Sequence, residues 1–203
     1  MNPNLFFTPT DILLPAHADM RRWSVIACDQ FTADAGYWQA VQDTVGDAPS
    51  TLRLMLPEFY LGKCDEAAAT REIQQTMRRC LDDGVFRTVP HSLVLVQRTL
   101  PGGAVRCGIV GALDLEAYDY APDSVTPIRA TEGTVASRLP ARVRIRAAAA
   151  LEMPHIMVFY SDPEDTIRRE AQAAAGETLY DFDLMSGGGH VRGLRIAGAK
   201  ADA

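Results

Sequence analysis

The sequence lacks an apolar run of the roughly 18–20 residues that a membrane-spanning helix needs. It also lacks the marks of a signal peptide, because no basic region precedes an apolar stretch at the N-terminus and Asp11 interrupts that part of the chain. These absences predict a cytoplasmic protein with no membrane partner.

Paired cysteines are missing as well. The four cysteines are widely spaced, and none forms the C-x-x-C pair of a zinc site: Cys28, Cys64, Cys80 and Cys107. Buried free thiols are therefore expected. An excess of positive charge is also absent, since the net charge is -6. This balance argues against a general nucleic-acid-binding protein, which would present a broad basic face.

The composition that is present is typical of a folded domain. The chain has 203 residues, of which 47% are hydrophobic, so it can form a single domain with a real core. The predicted elements follow the order strand, helix, strand, helix, hairpin, loop with a short helix, strand, helix, hairpin. This order predicts an α+β fold (mixed α/β), in which helices flank a mixed β-sheet.

Capping residues and helical spacing predict the helices. They are a helix capped by Thr32 or Asp34 and ended by Gly46, a helix from Cys64 or Asp65 to Gly84, a short helix over Ala136–Arg138 that Pro140 interrupts, and a helix from Pro163 to Gly176. Residues 142–146, after Pro140, fit either a helix or an extended segment.

Runs of β-branched and apolar residues predict the strands. They are Arg22–Phe31, Thr51–Leu56, a hairpin of Leu93–Thr99 with Val105–Leu113, the buried strand "HIMVFYSD" (155–162), and two strands around the turn "SGGG". The last residues, "AGAKADA", read as the first turn of another helix, so we expect this chain to be the N-terminal part of a longer protein.

Positive charge is concentrated in one stretch, "IRATEGTVASRLPARVRIR" (128–146). It places Glu132 between Thr131 and Thr134 and contains five arginines: Arg129, Arg138, Arg142, Arg144 and Arg146. A helix N-terminus and bidentate guanidinium groups suit a phosphate. The glutamate could orient a substrate hydroxyl or bind Mg²⁺. The alternative is a capping threonine with a first-turn glutamate, followed by a solvated basic face.

Two other motifs supply candidate residues. In "ACDQF", Asp29 follows a predicted strand, where ligands collect in open sheets, although a turn or helix cap explains it equally. In "SGGGHVRG", His190 and Arg192 follow three glycines. Because no G-K-[ST] follows, this is not a Walker A motif, and a glycine hairpin is favoured. His155 is read as a structural histidine.

Several of these stretches together resemble the Domain of Unknown Function 1015 family over nearly the whole chain. The most telling are "WSVIACDQFT", "VGDAPSTLRLMLPEFYL", "RATEGTVASRLPARVRIR" and "LYDFDLMSGGGHVRGLRI". Members of that family are about twice this long, and their aspartate-glycine-asparagine/histidine-histidine motif would lie C-terminal to Ala203. The chain therefore resembles the N-terminal half, in which Asp29 matches the first motif and Glu132 the middle one.

The family is more distantly similar to the ParB/sulfiredoxin-like group, which includes kinases of free L-serine. This resemblance implies a phosphotransferase that uses ATP or ADP with Mg²⁺ and acts on a small hydroxyl metabolite. Glu132 and Asp29 are the expected catalytic residues. The expected phosphate-binding residues are Thr131, Thr134, Arg129, Arg138, Arg142 and His190. A non-catalytic nucleotide- or ligand-binding module and a ParB-like nucleic-acid-binding protein are the alternatives, and a homodimer is one oligomeric state that the sequence allows.

Overall fold

The computed structural model describes residues 6–26, 31, 33–131, 133, 135–153 and 155–202, and it describes only the backbone of Arg138. The α-helices are α1 Met20–Trp23, α2 Ala35–Val45, α3 Glu66–Asp82, α4 Leu139–Arg146 and α5 Thr166–Ala174. The strands are β1 Phe7–Thr8, β2 Thr10–Pro15, β3 Phe86–Thr99, β4 Val105–Val110, β5 Ala112–Leu113, β6 Tyr118–Asp119, β7 Ile128–Arg129, β8 Thr178–Asp183 and β9 His190–Ala197. The predicted α+β class is confirmed.

Strand β3 is the centre of a five-stranded sheet in which every pairing is antiparallel. Its long run of valines and leucines favours a buried strand. One edge of β3 pairs with β9, which in turn pairs with β8. The other edge pairs first with β2 and then, from Val94 onward, with β4. The short β6 and β7 form a separate parallel pair.

The two long helices begin and end where their capping residues predict. Asp34 caps α2, and Gly46 ends it with a left-handed φ of 51°. Asp65 caps α3 by accepting two backbone N–H groups at 3.0 Å, and Gly84 follows with a φ of 66°. The hairpin of β3 with β4 and the two strands around "SGGG" are also confirmed, although β5 pairs with β1 instead of extending the hairpin.

Three apolar clusters form the core of the described part of the chain. The first joins α2 to the segments around it and includes Ile26, Tyr37, Trp38, Val41, Leu52 and Met185. The second joins α1, α3 and α4 and consists of Trp23, Leu54, Ile73, Met77 and Ile145. The third packs α5 on the sheet and consists of Leu95, Ala171, Ile196 and Ala201. The first cluster positions the candidate site.

The predicted strand Arg22–Phe31 is wrong over its described residues. Its first two residues belong to α1, which Asp19 caps, and residues 24–26 form no strand. The carbonyl oxygen of Trp23 accepts hydrogen bonds from the hydroxyls of Ser50 and Thr51 at 3.1 and 2.9 Å. Side-chain hydroxyls therefore donate to this carbonyl the hydrogen bonds that a neighbouring strand would otherwise donate. Residues 27–30 lie outside the described residues.

Two further predictions about local structure are wrong. Thr51–Leu56 is not a strand: Thr51–Arg53 forms a 3₁₀ turn, because the Ser50 hydroxyl caps it by accepting the N–H of Leu52. Pro140 does not interrupt a helix. It lies in the first turn of α4, where the missing N–H of proline costs no hydrogen bond, and residues 142–146 are helical.

The predicted buried strand at 155–162 is also wrong. Residues 155–161 form neither strand nor helix, and the side chains from His155 to Tyr160 are exposed. The sequence has high β-propensity, but no described strand pairs with it. The following helix, α5, is shorter than Pro163–Gly176. The three described cysteines are free, as expected, but none is buried: Cys64 is exposed, and Cys80 and Cys107 are half-buried.

No helix formed by the described residues is long and apolar enough to cross a membrane.

Candidate functional site

The glycine turn, Ser186–Gly189, joins β8 to β9 in an unusual backbone conformation. Ser186, Gly187 and Gly189 all have left-handed φ values, of 56, 67 and 92°. A Cβ at Gly189 would lie 2.1 Å from the carbonyl oxygen of Thr99, and a Cβ at Gly188 would lie 2.2 Å from Ile26 Cδ1. Glycine is therefore required at 189, where the turn packs on the backbone of β3, and a side chain at 188 would have to displace the Ile26 side chain.

Ile26 is the last described residue before the "CDQ" motif, and α2 holds it in place. The hydroxyl of Tyr37 donates a 2.6 Å hydrogen bond to the Ile26 carbonyl. On the other side of the motif, the Phe31 ring stacks on Tyr37 with ring centroids 3.8 Å apart, and Trp38 Nε1 donates to the Phe31 carbonyl. Both Ile26 and Phe31 are thus held by α2, and Ile26 also packs on the glycine turn. Asp29 itself lies outside the described residues.

Arg98, near the end of β3, places a positive charge against the same turn. Its Nη2 donates a 3.2 Å hydrogen bond to the Gly188 carbonyl. Its Nε is buried and finds no hydrogen-bond acceptor among the described residues. A charged donor without an acceptor is costly in a buried position, so this guanidinium has capacity for an anion. Sequence reasoning missed Arg98, because nothing in "VQRT" distinguishes it from an ordinary strand residue.

His190 forms a charged cluster at the start of β9, beside the turn. Its Nδ1 lies 2.8 Å from Asp183 and its Nε2 lies 2.7 Å from Asp181. The hydrogen bond with Asp183 raises the pKa of His190, and the same bond lowers the pKa of Asp183. Arg21 of α1 and Arg192 of β9 lie 3.6 and 3.5 Å from these carboxylates.

An open cavity of about 430 Å³ adjoins this cluster. Its lining residues are Thr99, Leu100, Asp183, Leu184, Gly187, Gly189 and His190. The cavity is large enough for a small ligand, and the glycine turn contributes backbone to its wall. Of the candidate site residues that the structure describes, only His190 lines this cavity.

The three arginines of the basic stretch that belong to α4 lie elsewhere, near α3, and they form ion pairs. Each faces a carboxylate at a short N–O distance: Arg142 with Glu58 at 2.6 Å, Arg144 with Glu66 at 2.5 Å, and Arg146 with Glu152 at 2.7 Å. Much of the charge that the sequence concentrates is therefore neutralised within the fold. The Glu58 carboxylate is only 15% exposed, which makes its pair with Arg142 the most shielded of the three.

The remaining predicted residues of that stretch are either exposed or outside the described residues. Arg129, in β7, and Thr131 are exposed. Glu132, Thr134 and the side chain of Arg138 lie outside the described residues. The described part of the chain contains no cluster of three or more His, Cys, Asp or Glu side chains suited to a metal ion.

The His190 cluster predicts a specific titration behaviour. We expect the pKa of His190 to lie above its ordinary value, to fall in Asp183→Asn, and to fall less in Asp181→Asn, because Asp183 is the stronger partner. Its stabilising contribution should be complete below pH ~6.5 and be lost as the pH rises through the raised pKa. The contribution of Asp183 should be lost as the pH falls through its lowered pKa.

Imidazole NMR titration of the three proteins measures this order directly. Equal values in wild type and Asp183→Asn would contradict the geometry.

The pair of Arg142 with Glu58 predicts a stronger coupling than a solvated pair gives. A double-mutant cycle with Arg142→Gln and Glu58→Gln should give a coupling of about 1 kcal/mol, because Glu58 is shielded from water. The matched control is Arg79 with Glu72, at 2.7 Å but with both side chains more than half exposed, for which a weaker coupling is expected. Urea denaturation at low and high salt measures both. Equal couplings, both abolished by salt, would show that the Arg142 pair is a surface contact.

Comparison with known proteins gives one match. A search of curated proteins and a search of solved structures each returned nothing similar. The chain does match the family described as "Protein of unknown function (DUF1015)" over residues 9–202. Because this match spans nearly the whole sequence, the chain is a member of the DUF1015 family.

Proposed function

We propose that this protein binds a nucleotide at the glycine turn and transfers a phosphoryl group from ATP or ADP to the hydroxyl of a small metabolite. The supporting observation is the packing of the turn on Ile26, three residues before Asp29, with the Arg98 guanidinium against Gly188. The distant resemblance to the ParB/sulfiredoxin-like group makes free L-serine the first substrate to test.

The chemistry of the turn suits phosphate. A right-handed residue next to a left-handed one turns successive backbone N–H groups toward one side, as in anion-binding nests, and the φ values of Gly187, Gly188 and Gly189 alternate in sign at 67, -67 and 92°. Arg98 adds a fixed positive charge, whereas the imidazole of His190 is already paired with Asp181 and Asp183. Phosphoryl transfer depends mostly on positioning and on neutralising charge, so a rigid turn beside a guanidinium supplies what the reaction needs.

The candidates for the acid–base roles are carboxylates of two motifs, the basic stretch 128–146 and "ACDQF". Glu132 or Asp29 would accept the proton of the substrate hydroxyl. The oxygen of that hydroxyl would then bond to the transferred phosphorus, and the nucleotide would leave with one phosphate fewer. Mg²⁺ in nucleotide sites is held by one or two carboxylates together with phosphate oxygens. The same two carboxylates are the candidates for this role, and both lie outside the described residues.

Arg142 is a weaker phosphate ligand than the sequence indicates. Its guanidinium already donates to Glu58 at 2.6 Å and would have to exchange that partner for a phosphate. The same neutralisation weakens the nucleic-acid-binding alternative, since a basic footprint needs uncompensated charge. A binding module without turnover differs from the enzyme only in its missing product, so the experiment must detect the product itself.

The test is ³¹P NMR of the protein with Mg-ATP, and separately with Mg-ADP, in the presence of free L-serine. A new phosphomonoester signal is expected from the wild type. It should be absent from Glu132→Gln, because the amide cannot accept the hydroxyl proton. The matched control is Glu116→Gln, an exposed glutamate in the 3₁₀ turn Leu115–Ala117, which should keep wild-type turnover.

Other outcomes separate the alternatives. Nucleotide binding in calorimetry without product from serine or a panel of small alcohols would contradict the enzyme and favour a binding module. Retarded DNA at low salt, without nucleotide binding, would favour the nucleic-acid-binding protein.

A further inference from the structure

His190, the first residue of β9, lies directly across from Asp183, the last residue of β8, and the glycine turn connects these two strand ends. At the base of the turn, the backbone N–H of Leu184 donates to the Gly189 carbonyl at 2.8 Å. The side chains of His190 and Asp183 both line the cavity beside the turn. An interaction between them therefore acts on the turn and on the cavity together.

Both ring nitrogens of His190 face a carboxylate. Nδ1 lies 2.8 Å from Asp183 Oδ1, and Nε2 lies 2.7 Å from Oδ1 of Asp181, two residues earlier on the same strand. A neutral imidazole has one N–H and can donate only one of these hydrogen bonds, whereas an imidazolium donates both. In the neutral ring, one nitrogen would turn its lone pair toward a carboxylate oxygen. The geometry therefore fits the protonated ring.

Two arginines complete the charged cluster, but they lie farther from the carboxylates than the ring does. Arg192 Nε of β9 is 3.5 Å from Asp181 Oδ2, and Arg21 Nη2 of α1 is 3.6 Å from Asp183 Oδ2. When the ring loses its proton, the carboxylates keep only these longer contacts with a cation among the described residues. The ring is thus the group whose charge decides how firmly the two strand ends are linked.

We propose that His190 is a pH-sensitive switch for the glycine turn: the protonated ring links β9 to both carboxylates of β8 and holds the turn in place, and the neutral ring loosens it. The hydrogen bond with Asp183 raises the pKa of His190. The link should therefore be complete below pH ~6.5 and be lost as the pH rises through that raised pKa.

The switch belongs to the turn itself and does not depend on which ligand the cavity takes. Its consequence for nucleotide binding, which is a greater loss of affinity with rising pH than the ligand alone explains, rests on the proposed function. The two statements therefore need separate measurements.

Amide hydrogen exchange of residues 184–190, measured by NMR from pH ~6 to pH ~9 and expressed as protection factors, tests the switch. In the wild type, protection should fall about two- to fivefold across this range, which is the size expected for an exposed charged pair. The matched control is His91→Gln. His91 pairs with a single carboxylate, Asp202 at 2.8 Å, and its removal should leave the fall unchanged.

Asp181→Asn separates a switch from a pair that only stabilises the fold. The asparagine amide can donate to the Nε2 lone pair of the neutral ring, while Nδ1 still donates to Asp183. The turn should therefore stay protected at both ends of the pH range. His190→Gln has no ring to titrate and should show weak protection throughout. Circular dichroism confirms that each variant folds.

Equal protection of the wild-type turn at both ends of the range would overturn the proposal. So would an unchanged fall in Asp181→Asn or in His190→Gln, because another group would then be titrating.

Calorimetry with Mg-ATP, and then with Mg-ADP, at the same pH values tests the consequence for binding. Affinity should fall about two- to fivefold more in the wild type than in Asp181→Asn, in which the turn stays held. Protection that depends on pH in a protein that binds no nucleotide would support the switch and contradict the proposed function. Nucleotide binding with no pH dependence of protection would do the reverse.

Discussion

Both edges of strand β3 are paired, and the other elements depend on this double pairing. At the point where β3 changes partner, the fully buried Ser92 pairs with Thr10 of β2 and with Ala197 of β9. The Ser92 hydroxyl also accepts a hydrogen bond from Arg195 Nε at 2.9 Å, so this buried hydroxyl is hydrogen-bonded within the protein. Beyond this point β4 replaces β2, and the strand runs on to Thr99, beneath the glycine turn.

The candidate site is built at this end of β3 because three contacts meet there. Gly189 packs on Thr99, Gly188 packs on Ile26, and the Ile26 carbonyl accepts the Tyr37 hydroxyl. The sheet, the loop before the "CDQ" motif and helix α2 therefore hold one another in place. Such rigid support is what a phosphate-positioning site requires, since misplaced groups lose most of their effect.

Sequence reasoning succeeded where the determining residues are neighbours in the chain. Asp65 and Gly84 mark the ends of α3 by themselves, and the turn between β3 and β4 sets their register. It failed where residues far apart in the sequence determine the local structure. The carbonyl of Trp23 accepts its hydrogen bonds from hydroxyls 27 and 28 residues away, so residues 24–26, which read as part of a strand, form none. Tertiary contacts of this kind leave no periodic signal.

The candidate site shows the same division. Sequence reasoning placed His190 directly after a glycine turn between two strands, because local composition reveals both. It could not see that Arg142 pairs with Glu58, which is 84 residues away, or that Arg98 lies against Gly188, which is 90 residues away. Residue type alone made the basic stretch the favoured phosphate site. We propose Arg98 for that role instead, because its buried Nε has no acceptor among the described residues.

The measurement that tests the nucleotide site most directly is a calorimetric titration of Mg-ATP, and then of Mg-ADP, into wild type, Arg98→Met and Arg87→Met. Arg87 lies exposed at the other end of β3 and serves as the matched control. We expect Arg98→Met to lose about tenfold or more in affinity, because a charge-assisted hydrogen bond to phosphate is removed. Arg87→Met should bind like the wild type. Equal affinities in all three proteins, or no binding by the wild type, would contradict the placement of a nucleotide at the glycine turn.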